Sequence, residues 1–310
     1  MLRYAKYENM RKNGFIRPFN KLQVTSWVYV SYLFCIFSFM TITLFPQPLK
    51  TIIAIGYAGI LFSVVLTGFW CTYIDPTDPA LFEAAQSKLL SKPVDYKKYP
   101  KICKICKNHV NSDTKHCREC DKCVYHFDHH CKWLNNCIGK KNYKLYAFLL
   151  ASFQMHNLMI CICGGIVIRG ILEQNIYYEN LSTRMHITQG SLGIYLTLLL
   201  MMEILSLLAS IGMSQLILFH LYLAFKKMTT YEYILLKRRN KSRYRISTIK
   251  VVNEKEAIEE VPLEEVYEPY IENPQYKHDE TLQEVTTTNK KVAPSDYINP
   301  QLDNDQNPHP

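Results

Sequence analysis

Four apolar runs set the terms on which this chain can fold. They cover about Val24–Phe45, Thr51–Trp70, Leu145–Ile168 and Leu192–Phe225. Each reaches the ~20 residues a helix needs to cross a ~30 Å hydrocarbon core. Backbone polar groups find no water there, so a spanning segment has to satisfy them within a helix. The mean hydropathy of −0.10 therefore averages over two different materials, apolar runs and strongly polar connections. Buried helices of a soluble protein fit this distribution poorly. A cleaved leader fits the first run poorly too, because that run is long, begins only at Val24 and lacks a small-residue cleavage pattern.

The net charge of +9 is not scattered. Basic residues gather before the first run (Arg3, Lys6, Arg11, Lys12, Arg17, Lys21), between the second and third (Lys88, Lys92, Lys97, Lys98, Lys101, Lys104), and after the fourth (Lys226, Lys227, Lys237, Arg238, Arg239, Lys241, Arg243, Arg245). The other two connections, PQPLK at 46–50 and Gly170–Gly190, are nearly free of them. The positive-inside rule then puts both termini and the 72–144 segment in the cytosol. Cations that hug membrane ends read as phospholipid contacts, so no nucleic-acid partner is expected.

The middle polar segment carries chemistry. Between Cys103 and Cys137 lie seven of the eleven cysteines, with His109, His116, His126, His129 and His130 among them. In a reducing compartment such thiols favour metal over disulfides. The pairs Cys103/Cys106 and Cys117/Cys120, with Cys123 three further on, have the C-x-x-C spacing that tetrahedral zinc uses. Two closed sites need eight ligands, and Cys103, Cys106, Cys117, Cys120, Cys123, Cys137 and two histidines supply them. Cys131 is left over, directly after Asp128-His129-His130, as a nucleophile on a metal-stiffened platform would be.

The run DHHC at 128–131, followed by CKWLNNCIG and preceded by the Cys/His array, resembles the cysteine-rich domain of the DHHC protein S-acyltransferases. DPTDP at 75–79 and TTYE at 229–232 resemble that family's Asp-Pro and TTxE motifs, so the likeness covers roughly residues 22 to 235. It implies one zinc site from Cys103, Cys106, His116 and Cys123, and another from Cys117, Cys120, His130 and Cys137. His109 and His126 match no ligand position. The implied catalytic group is Cys131 as nucleophile, His129 as its base, Asp128 orienting His129, and Thr230 hydrogen-bonded to Asp128. Trp133, Asn136 and Asn142 also match the family pattern. The implied reaction is palmitoyl transfer from acyl-CoA to cysteines of membrane-associated proteins, through an acyl-enzyme on Cys131. Lys107, Lys115 and Lys132, with Lys140 and Lys141, are candidates to meet the phosphates of CoA. One departure is visible: NSDTKHC places Asp113 where the family usually has arginine. The family's distal C-terminal element has no recognisable copy.

The expected architecture is a membrane all-α protein: four transmembrane helices with a cytosolic zinc-binding cysteine-rich domain between helices 2 and 3. The expected divisions are a basic segment at 1–23, helices 1 and 2 within 24–71, the zinc domain at 72–144, and helices 3 and 4 within 145–225. A juxtamembrane segment at 226–245 and a disordered acidic tail at 246–310 follow. Charge alone reads residues 1–21 as a lead-in on the lipid surface. Cys35 and Cys71 read as packing thiols, and Glu203 as an acid turned to the bundle interior. Asn180-Leu181-Ser182 is an N-glycosylation acceptor triplet. The localisation implied is the endomembrane system, ER/Golgi or plasma membrane. A catalytically idle zinc scaffold and an acyltransferase for lipids or small thiols are the competing functions.

Overall fold

The computed structural model describes residues 10–90, 96–173, 176–185 and 189–253. Helix α1 (Lys21–Cys35) opens on an Asn20 cap, whose side-chain oxygen accepts from the Leu22 N–H, and continues through a π-helical stretch (Ile36–Thr41) and a 3-10 turn (Ile42–Leu44). Helix α2 (Leu49–Tyr73) returns after a short connection, and α3 (Pro79–Leu90) follows the DPTDP segment. Six short strands come next: β1 (Lys101–Cys103), β2 (Asn108–Val110), β3 (Lys115–Cys117), β4 (Lys122–Val124), β5 (His129–Cys131) and β6 (Asn136–Ile138). Helices α4 (Tyr143–Leu172), α5 (Ile176–Met185), α6 (Gln189–Phe225) and α7 (Thr230–Asn253) complete the described chain. The tail expected from residue 246 thus begins as helix, and residues 254–310 lie outside the described residues.

Lys21–Leu44, Leu49–Tyr73, Tyr143–Leu172 and Ser191–Phe225 are long and apolar enough to cross a membrane. They overlie the four apolar runs, and the fold is mostly helical with the Cys/His region between the second and third. Helix α4 packs on both α2 and α6, and the buried core of Leu33, Phe37, Tyr57, Ile160, Val167, Leu199 and Met202 joins all four. Polar groups inside this core find one another. The Tyr29 hydroxyl donates to Asn157 Oδ1 at 2.5 Å, and Tyr57 and His156 meet at 3.3 Å. Gln154 reaches Ser210 and Ser214 at 2.9 and 3.1 Å. Such pairing lowers the cost of polar atoms in hydrocarbon and ties helices together. Glu203 turns inward against Gly164, where a Cβ would overlap its carboxylate. The Asn180 amide donates to the Leu44 carbonyl at 2.9 Å, so the glycosylation acceptor nitrogen is engaged within the fold.

The two aspartates of DPTDP tie the strand region to the end of α2. Asp78 is fully buried and accepts from the Asn111 N–H (3.0 Å), the Asn111 amide (2.7 Å) and the Thr114 hydroxyl. Asp75 pairs at 3.0 Å with Lys122, whose side chain is 0% exposed and also donates to the Lys12 carbonyl at 2.8 Å. A buried charge is tolerable only with such partners. Lys12 belongs to a segment whose described part, residues 10–20, reaches this region through Met10 and Gly14 and leaves Ile16 and Phe19 exposed. Met10 is buried with Leu81, Cys106, Val110 and Cys123. The Gly14 N–H donates to the Thr72 carbonyl at 2.8 Å, and the Gly14 carbonyl accepts from Asn135 and Gln23.

Candidate active site and metal clusters

The strands form three separate antiparallel hairpins with one shared register. Lys101 pairs with Val110, Lys115 with Val124, and His129 with Ile138, so the hairpins repeat every 14 residues. Each turns through four residues, the last of which has positive φ: Lys107 (52°), Asp121 (47°) and Asn135 (52°). A two-stranded hairpin is marginal on its own. Here the register presents ligands. Cys103, Cys117 and Cys131 hold the same strand position, and Cys106 and Cys120 lie three residues on, within the turn. In the third hairpin that last position is Leu134.

Two four-residue clusters result. Cys103, Cys106, His116 and Cys123 bring their ligand atoms within 4.8 Å of one another, as do Cys117, Cys120, His130 and Cys137. Each takes a C-x-x-C from one hairpin and a His and a Cys from the next. His116 Nδ1 lies 3.3 Å from Cys106 Sγ and 3.7 Å from Cys123 Sγ. His130 Nδ1 lies 3.3 Å from Cys120 Sγ and 3.6 Å from Cys137 Sγ, and the Cys137–Cys120 sulfurs are 3.5 Å apart. These spacings, 3.3 to 3.7 Å, lie close to the edges, roughly 3.5–3.8 Å, of a tetrahedron with zinc–ligand bonds of about 2.0–2.3 Å. His116 Nε2 is 3.3 Å from Asp121, the outer partner that keeps a ligating imidazole oriented. Both clusters could hold zinc.

The repeat also accounts for the residues left out. Position 102, where the later hairpins have His116 and His130, is Ile, and among the described residues no earlier hairpin needs a ligand. His109 instead hydrogen-bonds the Tyr99 carbonyl at 2.9 Å. His126 pairs with Asp113 at 3.3 Å, which gives the unusual aspartate a partner in the connection after the second hairpin. At the other end, Cys131 has no fourth hairpin to face among the described residues, and its own turn carries Leu134 where the earlier two carry a cysteine. The 14-residue period was the sequence signal for all of this, and motif matching alone passed over it.

Cys131 is 7% exposed and packs among Cys71, Leu134, Ile138, Tyr146 and Leu150, with Met213, Leu216 and Ile217 of α6 nearby. The thiol thus borders the apolar bundle. Its neighbour His129 holds Asp128 Oδ2 through Nδ1 at 2.6 Å. Burial works against the imidazolium, but the bonds to Asp128 and Cys131 outweigh it and push His129 up to about 9. Burial likewise works against the Asp128 carboxylate, while His129 and the Thr230 N–H hold its titration below the usual range.

Thr230 reaches Asp128 Oδ1 through its backbone N–H at 2.8 Å, with its buried hydroxyl beside the same carboxylate. Local sequence produces that aim. Helix α6 ends with Lys227 at φ 52°, its N–H on the Ala224 carbonyl and the Met228 N–H on the Leu223 carbonyl. This is the Schellman pattern, with lysine at the position glycine usually takes. Two residues later TTYE forms a capping box: Glu232 N–H donates to the Thr229 hydroxyl at 3.2 Å, and Thr229 N–H to the Glu232 carboxylate at 2.8 Å. The first free amide of α7 therefore points at Asp128, where the helix dipole favours an anion.

Around the thiol, the Asn136 amide donates to the carbonyls of Cys71 (3.0 Å), Thr72 (3.2 Å) and Ile74 (2.8 Å), closing the open end of α2. Asn142 is buried and links the Gly139 N–H to the Cys137 carbonyl. Trp133 is 52% exposed beside the thiol's strand. The candidate lysines fall on three different hairpins. Lys107 and Lys132 are exposed, and Lys115 lies 5.2 Å over the Tyr231 ring of α7.

Four helices long and apolar enough to cross a membrane stand with two interleaved Cys/His clusters and, outside both, a thiol beside an Asp–His pair. The family model described as DHHC palmitoyltransferase matches residues 96–237. Palmitoyltransferase ZDHHC11 of Homo sapiens is 32% identical over 255 residues, which cover 75% of this chain and 61% of that protein. Probable palmitoyltransferase ZDHHC11B of Homo sapiens is 31% identical over 255 residues, covering 75% and 68%. Palmitoyltransferase ZDHHC5 of Homo sapiens is 31% identical over 160 residues, 48% of this chain and 21% of that protein. The chain thus spans about three fifths of the first relative's length. It belongs to the DHHC palmitoyltransferase family.

Proposed function

We propose that this chain is a protein S-acyltransferase that moves a palmitoyl or similar long-chain group from acyl-CoA to cysteine thiols of membrane-associated proteins, by a ping-pong route through Cys131. The observation that carries this reading is the position of Cys131: outside both Cys/His clusters, against Asp128–His129, and at the edge of the apolar bundle. His129 takes the Cys131 proton as the sulfur attacks the thioester carbonyl carbon. The CoA sulfur leaves with the bonding pair and takes that proton, so the acyl group stays on Cys131. A substrate thiol then gives its proton to His129 and attacks the acyl-enzyme, and Cys131 leaves and recovers the proton. Asp128 and Thr230 act through His129, fixing its tautomer and charge.

Two zinc ions would be held by the eight clustered ligands, and bound zinc supplies the folding energy that such short hairpins lack. The acyl chain would lie among the helices, where each buried methylene contributes about 0.8 kcal/mol. Lys107, Lys115 and Lys132 would face the CoA phosphates. In this reading 72–144 is a cytosolic zinc domain, 226–245 its juxtamembrane partner, and both termini are cytosolic in an endomembrane (ER/Golgi or plasma-membrane) protein. Purified chain offered labelled palmitoyl-CoA should acquire a thioester-linked label that Cys131→Ser abolishes. An unlabelled wild type with its zinc in place would leave only a zinc-containing scaffold.

A further inference from the structure

His220 is a buried imidazole for which the transfer route above has no use. It is 9% exposed, sits about one and a half turns from the end of α6, and turns toward the site. Its ring centroid lies 6.1 Å from that of His129, and both rings stand edge-on to Tyr146, at 5.4 and 5.3 Å. Its Nδ1 shares a 3.3 Å hydrogen bond with the Tyr143 hydroxyl.

The arrangement answers a mechanical need of His129. That residue stands on a three-residue strand, with its Nδ1 hydrogen-bonded to Asp128 and its ring also to Cys131. The bond to Cys131 weakens as that sulfur attacks, and the bond through Nδ1 by itself fixes one atom and leaves the ring free to swing Nε2 away. Packing on the faces and edge of the ring has to stop that rotation, and Tyr146 and His220 are the aromatic rings in contact with it. His220 can itself rotate unless Tyr143 holds it. We propose that His220, anchored by Tyr143, is a positioning residue that fixes the His129 ring plane, so that the membrane helices α4 and α6 set the aim of the base. Asp128 and Thr230 fix its tautomer from one side, and the Tyr143–His220–Tyr146 group fixes its rotation from the other.

This inference rests on the acyl-enzyme reading, and the test separates the two. Full-length chain in nanodiscs is mixed with labelled palmitoyl-CoA over a range of concentrations, and single-turnover labelling of Cys131 gives a maximal rate and a half-saturating concentration. Tyr143→Phe, which removes one oxygen, should lower the maximal rate about three- to tenfold and leave half-saturation unchanged. His220→Phe should do at least as much, and adding Tyr143→Phe to it should cost nothing more, because the hydroxyl then has no partner. His220→Gln, whose amide can still meet Tyr143, should recover part of the loss. Wild-type rates in both single variants, additive losses, or an effect on half-saturation alone would each overturn the proposal. A wild type that takes no label removes the acyl-enzyme reading itself.

Discussion

Leu134 occupies in the third hairpin the place that Cys120 occupies in the second, 14 residues earlier in the same register. That one exchange leaves Cys131 without a C-x-x-C partner, so the thiol in the ligand position of its strand is free for chemistry. Leu134→Cys would restore the pair. The expected result is a variant whose palmitoyl capture is lost at a zinc concentration that leaves the parent active. Equal zinc sensitivity in both chains would mean that Leu134 is not what keeps the thiol free.

Interleaving makes the second hairpin the shared member. It gives His116 and Cys123 to one cluster and Cys117 and Cys120 to the other. Zinc binding in small domains is worth roughly 10–16 kcal/mol and is inseparable from folding. Metal analysis should therefore find about two ions in the parent, about one in Cys103→Ser, and fewer than one in Cys120→Ser, whose damage spreads through the shared hairpin. Equal loss of a single ion in every ligand variant would show two independent sites.

The Asp128–Thr230 contact runs through an amide, which a side-chain change does not remove. Thr230→Ala should keep most acyl-enzyme formation. Thr230→Pro deletes the N–H at the first position of α7, where proline is otherwise well tolerated. Hydrogen bonds to charged groups contribute about 1.5–3 kcal/mol, so the proline variant should be roughly ten- to a hundredfold slower. The ratio of the two rates is the measurement. A hydroxyl-dependent site would reverse their order.

Gly14 lies where a side chain cannot. A Cβ there would overlap the Leu134 carbonyl and come within 2.8 Å of Thr72 Cγ2. Overpacking of this kind typically costs about 1–3 kcal/mol. Gly14→Ala should lower the thermal midpoint and expose residues 10–20 to limited proteolysis, with a smaller loss of Cys131 labelling. Unchanged protease resistance would show that the segment's docking does not depend on that contact.

Much of this protein was legible in order along the chain. The apolar runs marked the spanning helices because a bilayer leaves the backbone a single solution. Ligand spacing marked the clusters because tetrahedral zinc accepts few local geometries. The T-x-x-E of a capping box was present in TTYE, but its consequence, an amide aimed at a carboxylate 102 residues away, needed the chain reversal at Lys227 to be seen.

The sequence by itself determined the helices, the ligands and the surplus sulfur, because each follows from spacing along a single segment. Tertiary structure alone decided that Lys122 is buried against Asp75 and the Lys12 carbonyl, that Gly14 leans on the loop after Cys131, and that Tyr143 and His220 stand beside His129. Those pairings join residues tens to more than a hundred positions apart. Local chemistry does not encode them, and helix packing and hairpin stacking do.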